Sequence, residues 1–401
     1  MVNKWLPLTS MTVAHFINDF FQYLVPLLLP LLIPEFGLSY LESGLLVGVY
    51  LGTAVGLNPI MGHFADVYRR RKLTLCLGLA LYGISVSSLQ FAQDYTSLML
   101  ISVVMGVGFS AYHPQATKVI TTLYKEKKGK FMGIHGIGGG IGFATTPLLL
   151  VPLAYSLGWR YAVSFLFIPA CLAALLLWIF VKEPEVEVVR RKNKMVWRPI
   201  ILLTLVSGLS YYVFKGFTTF LPIYFVAVRS TSAIEMGLLT SLAMGTGIFA
   251  APLGGSLSDT IGRKKTFTIS LVLMTLSLLA FLNTSGLVSI LFLIMLGFWA
   301  QTTGPVGLTY ASELGPAEKA GMYVGVFFGG FQGLGLMATI VVGYTADLMG
   351  FYWAFMSLVL ISGLAAILTM VLPKIKNGEH EITRDQLPRG HYQLSSRKLP
   401  Q

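Results

Sequence analysis

The chain has 401 residues, of which 55% are hydrophobic and only 11% are charged, and its mean hydropathy is +0.72. This composition excludes a globular protein with an ordinary solvated surface, because such proteins have about 25% charged residues. The formal net charge of +12 could indicate a nucleic-acid ligand. However, the basic residues concentrate in particular loops, and we expect no nucleic-acid partner.

Twelve apolar segments follow one another along the chain, each long enough for a membrane-spanning α-helix, which needs about 20 residues. They are too continuous for the strands of an outer-membrane barrel, which alternate over about 10 residues. The sequence therefore predicts an all-α membrane protein with twelve transmembrane helices embedded in a lipid bilayer. We call the segments spans 1 to 12, and they cover residues 6–33, 43–65, 73–92, 96–117, 131–154, 159–181, 199–227, 235–258, 266–284, 287–312, 321–346 and 350–372.

Span 1 contains a polar stripe inside its apolar run. His15, Asn18, Asp19, Gln22 and Tyr23 recur at the spacing of one helix face. A carboxylate at membrane depth costs at least ~2.5 kcal/mol, so it normally faces a cavity rather than lipid. Because a neighbouring histidine adds proton chemistry, we predict that Asp19, tuned by His15 and Asn18, takes and releases a proton. The alternative is a stripe that only bonds a neighbouring helix.

Basic residues indicate the topology. Lys and Arg cluster between spans 2 and 3, 4 and 5, 6 and 7, and 8 and 9, and after span 12, which all lie on one side of a twelve-span protein. The opposite loops at 34–42, 93–95 and 347–349 carry acidic residues but no Lys or Arg. The positive-inside rule therefore predicts a multi-pass plasma-membrane protein with both termini cytoplasmic. Arg160, Lys215 and Arg229 depart from this pattern.

The chain repeats itself at a spacing of 193 residues. Gly44-Leu45-Leu46 returns as Gly237-Leu238-Leu239, and Asp66 returns as Asp259. This repeat predicts two copies of one six-helix unit. The predicted divisions are an N-terminal bundle at 1–181, a cytoplasmic linker at 182–198, a C-terminal bundle at 199–372 and a cytoplasmic tail at 373–401.

Duplicated halves are typical of alternating-access transporters, which hold substrate near the bilayer midplane where the halves meet. Lys215 lies near the middle of span 7, and its stem is too short to reach either membrane surface. We therefore expect it to face a central cavity, with Tyr211 one turn away. It could pair with Asp19 across the halves, bind an anionic substrate group, or do both in alternation. A static structural pair is the alternative.

The loops after spans 2 and 8 carry two copies of one motif. The second copy reads Gly255-Ser256-Leu257-Ser258-Asp259-Thr260-Ile261-Gly262-Arg263-Lys264-Lys265, and the first reads Gly62-His63-Phe64-Ala65-Asp66-Val67-Tyr68-Arg69-Arg70-Arg71-Lys72. Both resemble the G-x-x-x-D-(R)-x-G-R-(R/K) loop of the major facilitator superfamily, although Arg69 stands where that family has Gly. The resemblance covers essentially the whole ordered chain. It implies two pseudosymmetric six-helix bundles and a secondary transporter rather than an enzyme.

The motif carboxylates Asp66 and Asp259 lie at helix C-termini, where the macrodipole disfavours a negative charge. Each therefore needs a partner outside its own helix. We expect that partner to be a following arginine, Arg70 or Arg263, or the N-terminus of a helix in another arrangement of the bundle. Such contacts would form a gate that breaks when the cytoplasmic side opens. A merely structural turn is the alternative.

Three elements resemble the fosmidomycin-resistance-like branch of the superfamily: His15-Phe16-Ile17-Asn18-Asp19, Tyr112-His113-Pro114, and the Gly-rich start of span 5. Those proteins are proton-driven exporters, so the resemblance implies proton-coupled export (antiport) of a small organic solute. The alternative is uptake or exchange of an organic anion centred on Lys215. A membrane enzyme or receptor is a third interpretation, and the lack of an evident nucleophile or metal set argues against it.

The remaining polar residues of the spans are predicted to bind the substrate. His113, beside the kink expected at Pro114, is a candidate ligand for a proton or a substrate, whereas His135 is expected to be structural. We expect a monomer without cofactor or metal, and the missing Walker A motif argues against ATP as the energy source. The predicted substrate-binding residues are Lys215, His113, Gln22, Tyr23, Tyr211, Gln115, Gln301 and Gln332.

Overall fold

The computed structural model describes residues 5–183, 197–314 and 320–373. Most of the predicted linker and tail, residues 184–196 and 374–401, lie outside these ranges. A π-helical turn, Tyr224–Val228, continues the helix Trp197–Ile223. The α-helices are α1 (Trp5–Gln22), α2 (Leu24–Phe36), α3 (Tyr40–Val67), α4 (Arg71–Ser88), α5 (Tyr95–Ser110), α6 (His113–Leu123), α7 (Lys128–Leu157), α8 (Trp159–Ser164), α9 (Phe167–Phe180), α10 (Trp197–Ile223), α11 (Ala233–Gly245), α12 (Gly247–Ile261), α13 (Arg263–Asn283), α14 (Gly286–Glu313) and α15 (Ala320–Leu368).

Eleven helical stretches of the described residues are long and apolar enough to cross a membrane. The last of them, Gly325–Val371, has 47 residues. A straight helix of that length would measure about 70 Å, more than twice the ~30 Å hydrocarbon core of a bilayer. Gly350 interrupts it with φ 81° and ψ 167°, a conformation outside the helical region. The stretch therefore contains two crossings, and the prediction of twelve transmembrane helices in two bundles is confirmed.

Three of the helices that begin on one side of the molecule start with side-chain caps. In each cap, the first side chain accepts a hydrogen bond from the third helical amide, and the third side chain binds the amide of the first residue, so amides left unpaired by the helix start are satisfied. We call this side the outer face, and the side where α1 and α10 begin the inner face. The capping pairs are Ser39 with Glu42 at α3, Asp94 with Ser97 at α5 and Ser232 with Glu235 at α11.

Spans 2 and 11 join the two bundles on the outer half of the molecule. The carboxylate of Asp347, which directly follows span 11, accepts hydrogen bonds from the amides of Tyr40 (2.9 Å) and Leu41 (2.8 Å) at the start of α3. Deeper in the same interface, the Thr339 hydroxyl donates to the carbonyl of Gly44 at 2.9 Å. These bonds close the outer side of this interface.

Spans 5 and 8 form the second interface between the bundles. On the outer half they are close, since the Ser241 hydroxyl donates to the carbonyl of Ala144. The inner halves leave space unfilled. A Cβ atom added at Gly136 of span 5 or at Gly255 of span 8 would meet no atom within 4 Å. The same holds for spans 2 and 11 at Gly62 and Gly329. The structure is thus closed toward the outer face and open toward the inner face.

Candidate functional site

Spans 1 and 4 are both interrupted near mid-membrane, beside the polar stripe. Helix α1 ends at Gln22 and α2 begins after Tyr23, while α5 ends at Ser110 and α6 begins at His113. The kink expected at Pro114 is in fact a break, with the proline in the first turn of the new helix. Interrupted helices at this depth require a cavity or protein groups to replace the lost backbone bonds. Two such breaks side by side indicate a candidate functional site beside the polar stripe.

Asp19 is the centre of a buried hydrogen-bonded cluster. Its side chain is held from both oxygens: Oδ2 lies 3.2 Å from His15 Nε2, and Oδ1 accepts a bond of 2.9 Å from Asn18 Nδ2. Oδ1 also lies 3.6 Å from His113 Nε2. The polar stripe of span 1 therefore meets the broken part of span 4. A buried carboxylate between two imidazoles can bind and pass a proton.

His15 is fixed on its far side by span 5. Its Nδ1 lies 2.9 Å from the carbonyl oxygen of His135, and the two imidazole rings stack with centroids 4.2 Å apart. The His135 ring is 3% exposed, and its Nδ1 is buried without a hydrogen-bond partner among the described residues. Tyr112 completes this wall by donating a 2.9 Å bond to the carbonyl of Met11.

Asn18 connects Asp19 with His113. Its Nδ2 lies 3.2 Å from His113 Nε2 in addition to its bond to Asp19. An amide nitrogen is only a donor, so His113 Nε2 accepts this bond. His113 also begins α6, and the positive end of a helix dipole favours a nearby negative charge. Both effects stabilise the ionised carboxylate of Asp19, so the negative charge of the cluster lies there, while the Asn18 bond keeps His113 Nε2 an acceptor.

The glycines at the start of span 5 allow it to approach span 1 closely. A Cβ atom at Gly139 would lie 2.4 Å from Asp19 Oδ2 and 2.8 Å from His15 Nε2. A Cβ atom at Gly138 would lie 2.3 Å from the carbonyl oxygen of Thr12. Since real Cβ atoms do not approach other atoms this closely, the absence of side chains here is a condition for forming the cluster.

The second bundle contributes Lys215 and Tyr211 from span 7. Lys215 is 3% exposed, and no ion pair or hydrogen bond holds its amine among the described residues. It interacts electrostatically with Asp19 across the bundle interface, and so does Tyr211. Tyr23 of span 1 donates a 2.5 Å bond to the carbonyl of Thr218, which joins the two bundles on the outer side of Lys215.

The glutamines predicted to bind substrate fall into two groups. Gln22 is buried at the end of α1, and Gln332 is half-buried in span 11; neither amide has a hydrogen-bond partner among the described residues. Gln115 instead accepts a 2.8 Å bond from Arg71 on the inner side of span 4. Gln301 donates to the carbonyl of Ala243 at 3.2 Å, at the break between α11 and α12. The last two amides are therefore engaged in structural bonds.

The motif carboxylates are paired within their own bundles. Asp259 binds Arg263, which also bonds Glu313 at 2.9 Å. Asp66 pairs with Arg71 rather than with the expected Arg70. The reason lies in the turn: Arg69 has φ 52°, and the chain then starts α4 with Arg71 pointing back into the bundle. Whether these pairs act as a gate stays a prediction.

Three of the cluster side chains could also approach a metal ion. One ligand atom from each of His15, Asp19 and His113 lies within 4.8 Å of the others. The direct contact between His15 and Asp19, and the amide of Asn18 between Asp19 and His113, already satisfy these atoms with protein partners. Proton binding therefore stays the prediction for this cluster.

The family model described as Major Facilitator Superfamily matches residues 11–230 and 200–390. The chain belongs to this superfamily. Among curated relatives, the fosmidomycin resistance protein of Escherichia coli (strain K12) is 25% identical over 362 residues, covering 85% of this chain and 86% of that protein. The probable sulfoacetate transporter SauU of Cupriavidus necator is 24% identical over 381 residues, covering 85% and 87%.

Solved structures show the same major facilitator fold. A bacterial homolog of the human lysosomal transporter Spinster, in an inward-facing and occupied conformation, superposes with a TM-score of 0.80 at 17% identity. It covers 91% of this chain and 96% of that chain. The protein is thus a multi-pass membrane transporter of the superfamily, as the motif loops predicted. Its substrate class and coupling do not follow from these likenesses.

The sequence analysis missed Arg71, Glu313 and Asp347. Arg71 lies in a run of four basic residues, and nothing in the run singles it out. Glu313 closes span 10 and faces Arg263 only through the packing of α13 on α14. For Asp347 a signal did exist, since it is an acidic residue in an outer loop that lacks any nearby base. That pattern could have suggested a helix start as its partner.

Proposed function

We propose that this transporter moves a small organic anion together with a proton, by alternating access between its two bundles. One observation carries the proposal. A buried lysine of the second bundle, Lys215, has no ion-pair partner among the described residues, although it lies within electrostatic range of the buried Asp19 cluster of the first bundle. A buried charge without a partner is unfavourable in a static protein. In a transporter, an anionic substrate can supply the missing partner of this charge.

The amine of Lys215 fits an anionic group of the substrate. A charge-assisted hydrogen bond to a carboxylate, sulfonate or phosphonate is about twice as strong as a neutral one. The amide of Gln22 and the ring of Tyr211 supply polar and apolar contacts beside it. The name of the Cupriavidus relative, which concerns a small sulfonated acid, supports this substrate class.

The charges indicate how proton and anion are coupled. A proton bound at the Asp19 cluster makes the chamber more positive, so it strengthens the binding of an anion at Lys215. By linkage, the anion strengthens proton binding by the same factor. One proton and one monovalent anion together add no net charge to the buried chamber. This reciprocity supports transport of both in the same direction.

Proton-coupled export is the second candidate. It is favoured by the similarity to the fosmidomycin resistance protein and by the shared elements around Asp19 and His113. In an antiporter the proton and the solute occupy the chamber alternately, so each lowers the affinity for the other. The two candidates therefore predict opposite signs for one measurable coupling.

The conformational cycle uses the two interfaces between the bundles. The structure, open toward the inner face, has the outer interface closed by Asp347. We propose that the return to the outward-open form breaks this contact and brings the inner ends of the bundles together. The motif pairs Asp66–Arg71 and Asp259–Arg263 lie at those inner ends, and their residues form the gate by exchanging these partners for helix N-termini of the other bundle. We take the inner face to be cytoplasmic, as the basic loops predict.

Transport in proteoliposomes tests the function. A thermal-shift screen of the detergent-solubilised protein against carboxylates, sulfonates and phosphonates selects an anion, since ligands that bind the folded state raise its stability. An inward proton gradient should then drive accumulation of a monovalent anion, and a potassium diffusion potential should not. Expulsion of the anion by an inward proton gradient would support antiport instead, and exchange insensitive to pH would contradict proton coupling altogether.

A further inference from the structure

The contacts of His15 determine where its protons lie. A carbonyl oxygen can only accept a hydrogen bond, so the 2.9 Å contact with the carbonyl of His135 requires a hydrogen on His15 Nδ1. The other nitrogen, Nε2, is 3.2 Å from Asp19 Oδ2. If His15 is neutral, Nε2 presents a lone pair to that oxygen. Two acceptors at this distance repel each other unless a proton lies between them.

We infer that His15 and Asp19 share one proton on which their contact depends, and that losing it separates span 1 from span 5. The inference deepens the proposed function, because it specifies how the proton site acts on the helices. The shared proton can sit on Nε2 or on Oδ2 without change in the contacts. When it leaves, the one hydrogen remaining on His15 moves to Nε2 to keep the buried bond with Asp19, so the carbonyl of His135 loses its donor and the backbone of span 5 is released.

The other groups around the pair do not provide an alternative proton. His113 Nε2 accepts from Asn18, so its lone pair is occupied. The ring of His135 stacks on His15 without a hydrogen bond to it, and Lys215 acts on Asp19 only electrostatically. The hydroxyls of Tyr50 and Tyr82 bond each other at 2.7 Å, and Tyr112 bonds the carbonyl of Met11. The shared position therefore lies between His15 and Asp19.

Span 5 can transmit this change to the interface between the bundles. On one side, Gly138, Gly139 and Gly142 pack on α1. On the other side, a Cβ atom at Gly140 would lie 3.2 Å from the side chain of Ile248 in span 8. The carbonyl of Ala144, also in span 5, accepts the bond from Ser241 of span 8. A shift of span 5 relative to α1 therefore alters its contact with the opposite bundle.

Replacing Asp19 by Asn separates the two roles of the carboxyl group, which are to contact His15 and to hold a titratable proton. The amide of the Asp19→Asn variant can donate to a neutral His15 Nε2, so it preserves the contact without any titratable proton. In this variant the contact between spans 1 and 5 should be independent of pH. Asp94→Asn is the matched control, since it replaces a carboxylate at the outer start of α5 and leaves the pair intact.

Paired nitroxide labels at the inner ends of spans 1 and 5 test the inference. The rings of Trp5 and Phe131 are 6.1 Å apart, so labels on cysteines replacing them, in a Cys76→Ala/Cys171→Ala background, should show strong dipolar broadening. As pH rises, the ratio of contacting to separated labels should fall by about tenfold per pH unit once the shared proton is lost, which is the slope for one proton. Asp94→Asn should behave in the same way, and Asp19→Asn should show no change.

The result that overturns the inference is broadening that stays constant over the pH range in which the protein is folded, or an equal pH response in Asp19→Asn. A second measurement covers the case in which labels disturb the helices. In ¹⁵N-histidine protein, with the His15 signals assigned from His15→Gln, Nδ1 should carry a hydrogen at the pH values where the labels are in contact, and a bare Nδ1 there would refute the argument. Both experiments use detergent-solubilised protein without substrate or gradient, so a failure of the transport proposal leaves their outcome readable.

Discussion

The two bundles share a backbone plan but not a chemistry. At the 193-residue spacing of the repeat, Asp19 of span 1 corresponds to Tyr212 of span 7, and Gln22 corresponds to Lys215. The first bundle therefore holds the titratable cluster, and the second places a cation where the first has a neutral amide. In the proposed mechanism, the similar backbones of the two halves allow them to rotate against each other. Their different side chains bind the proton in one half and the anion in the other.

The largest effect is expected from removing the proton site of the first bundle. Asp19→Asn should reduce proton-driven accumulation of the anion to the level of protein-free liposomes, because no group is left to carry the proton. Exchange of labelled for unlabelled anion should persist, since Lys215 is intact. Counterflow and gradient-driven uptake in the same vesicle preparation measure both. Unchanged accumulation would remove Asp19 from coupling.

The second bundle is tested by its cation. Lys215→Ala should weaken anion binding by about 10- to 100-fold, the factor expected for one charge-assisted hydrogen bond. Binding of a neutral analogue of the same size should hardly change, which titration calorimetry can measure. Equal losses for both ligands would indicate a packing defect. The exchange Gln22→Lys/Lys215→Gln asks whether the cation functions from the other half, and recovery of binding would show that the division between halves is not essential.

The close packing of span 5 is tested by adding one methyl group. Gly139→Ala should lower the free energy of unfolding by about 1–3 kcal/mol, as overpacking does, because its Cβ atom collides with Asp19 and His15. Gly136→Ala is the matched control, since its Cβ atom meets open space in the inward-open form. Thermal unfolding in detergent compares the two. Equal stability of both variants would contradict the close approach of spans 1 and 5.

The smallest effect is expected at the outer interface. Asp347→Asn weakens a contact that joins the bundles, and about 1 kcal/mol of lost hydrogen bonding corresponds to a roughly fivefold larger outward-open population. The variant Thr219→Cys places a thiol at a buried position next to the carbonyl that Tyr23 bonds. Alkylation of this thiol by a reagent confined to the outer side should accelerate accordingly. Asp94→Asn removes the charge of a helix cap within one bundle but keeps its acceptor oxygen, and should leave the rate unchanged. An equal rate in all three proteins would exclude Asp347 from the outer gate.

The fold was accessible from the sequence because long apolar runs and the 193-residue repeat are patterns along the chain. The cluster was accessible in part: the stripe of His15, Asn18 and Asp19 needs only helical spacing. Its completion by His113 depended on the break in span 4, which the proline suggested. Here the local pattern and the tertiary arrangement agree.

What escaped prediction depends on tertiary geometry. The left-handed turn at Arg69 decides that Arg71, not Arg70, meets Asp66. Gln115 and Gln301 looked as suitable for substrate as Gln22, and their engagement follows from neighbours distant in sequence. The partner of His15 is the backbone carbonyl of His135, a group that every residue carries. No sequence pattern could distinguish it.

The central claim is that the proton on the first bundle and the anion on the second strengthen each other's binding. Proton exchange on adding the selected anion to weakly buffered, detergent-solubilised protein tests this claim directly, with a pH-indicator dye as readout. The account predicts proton uptake on binding in the wild type and none in Asp19→Asn. Proton release by the wild type would contradict it and would establish competition between proton and solute.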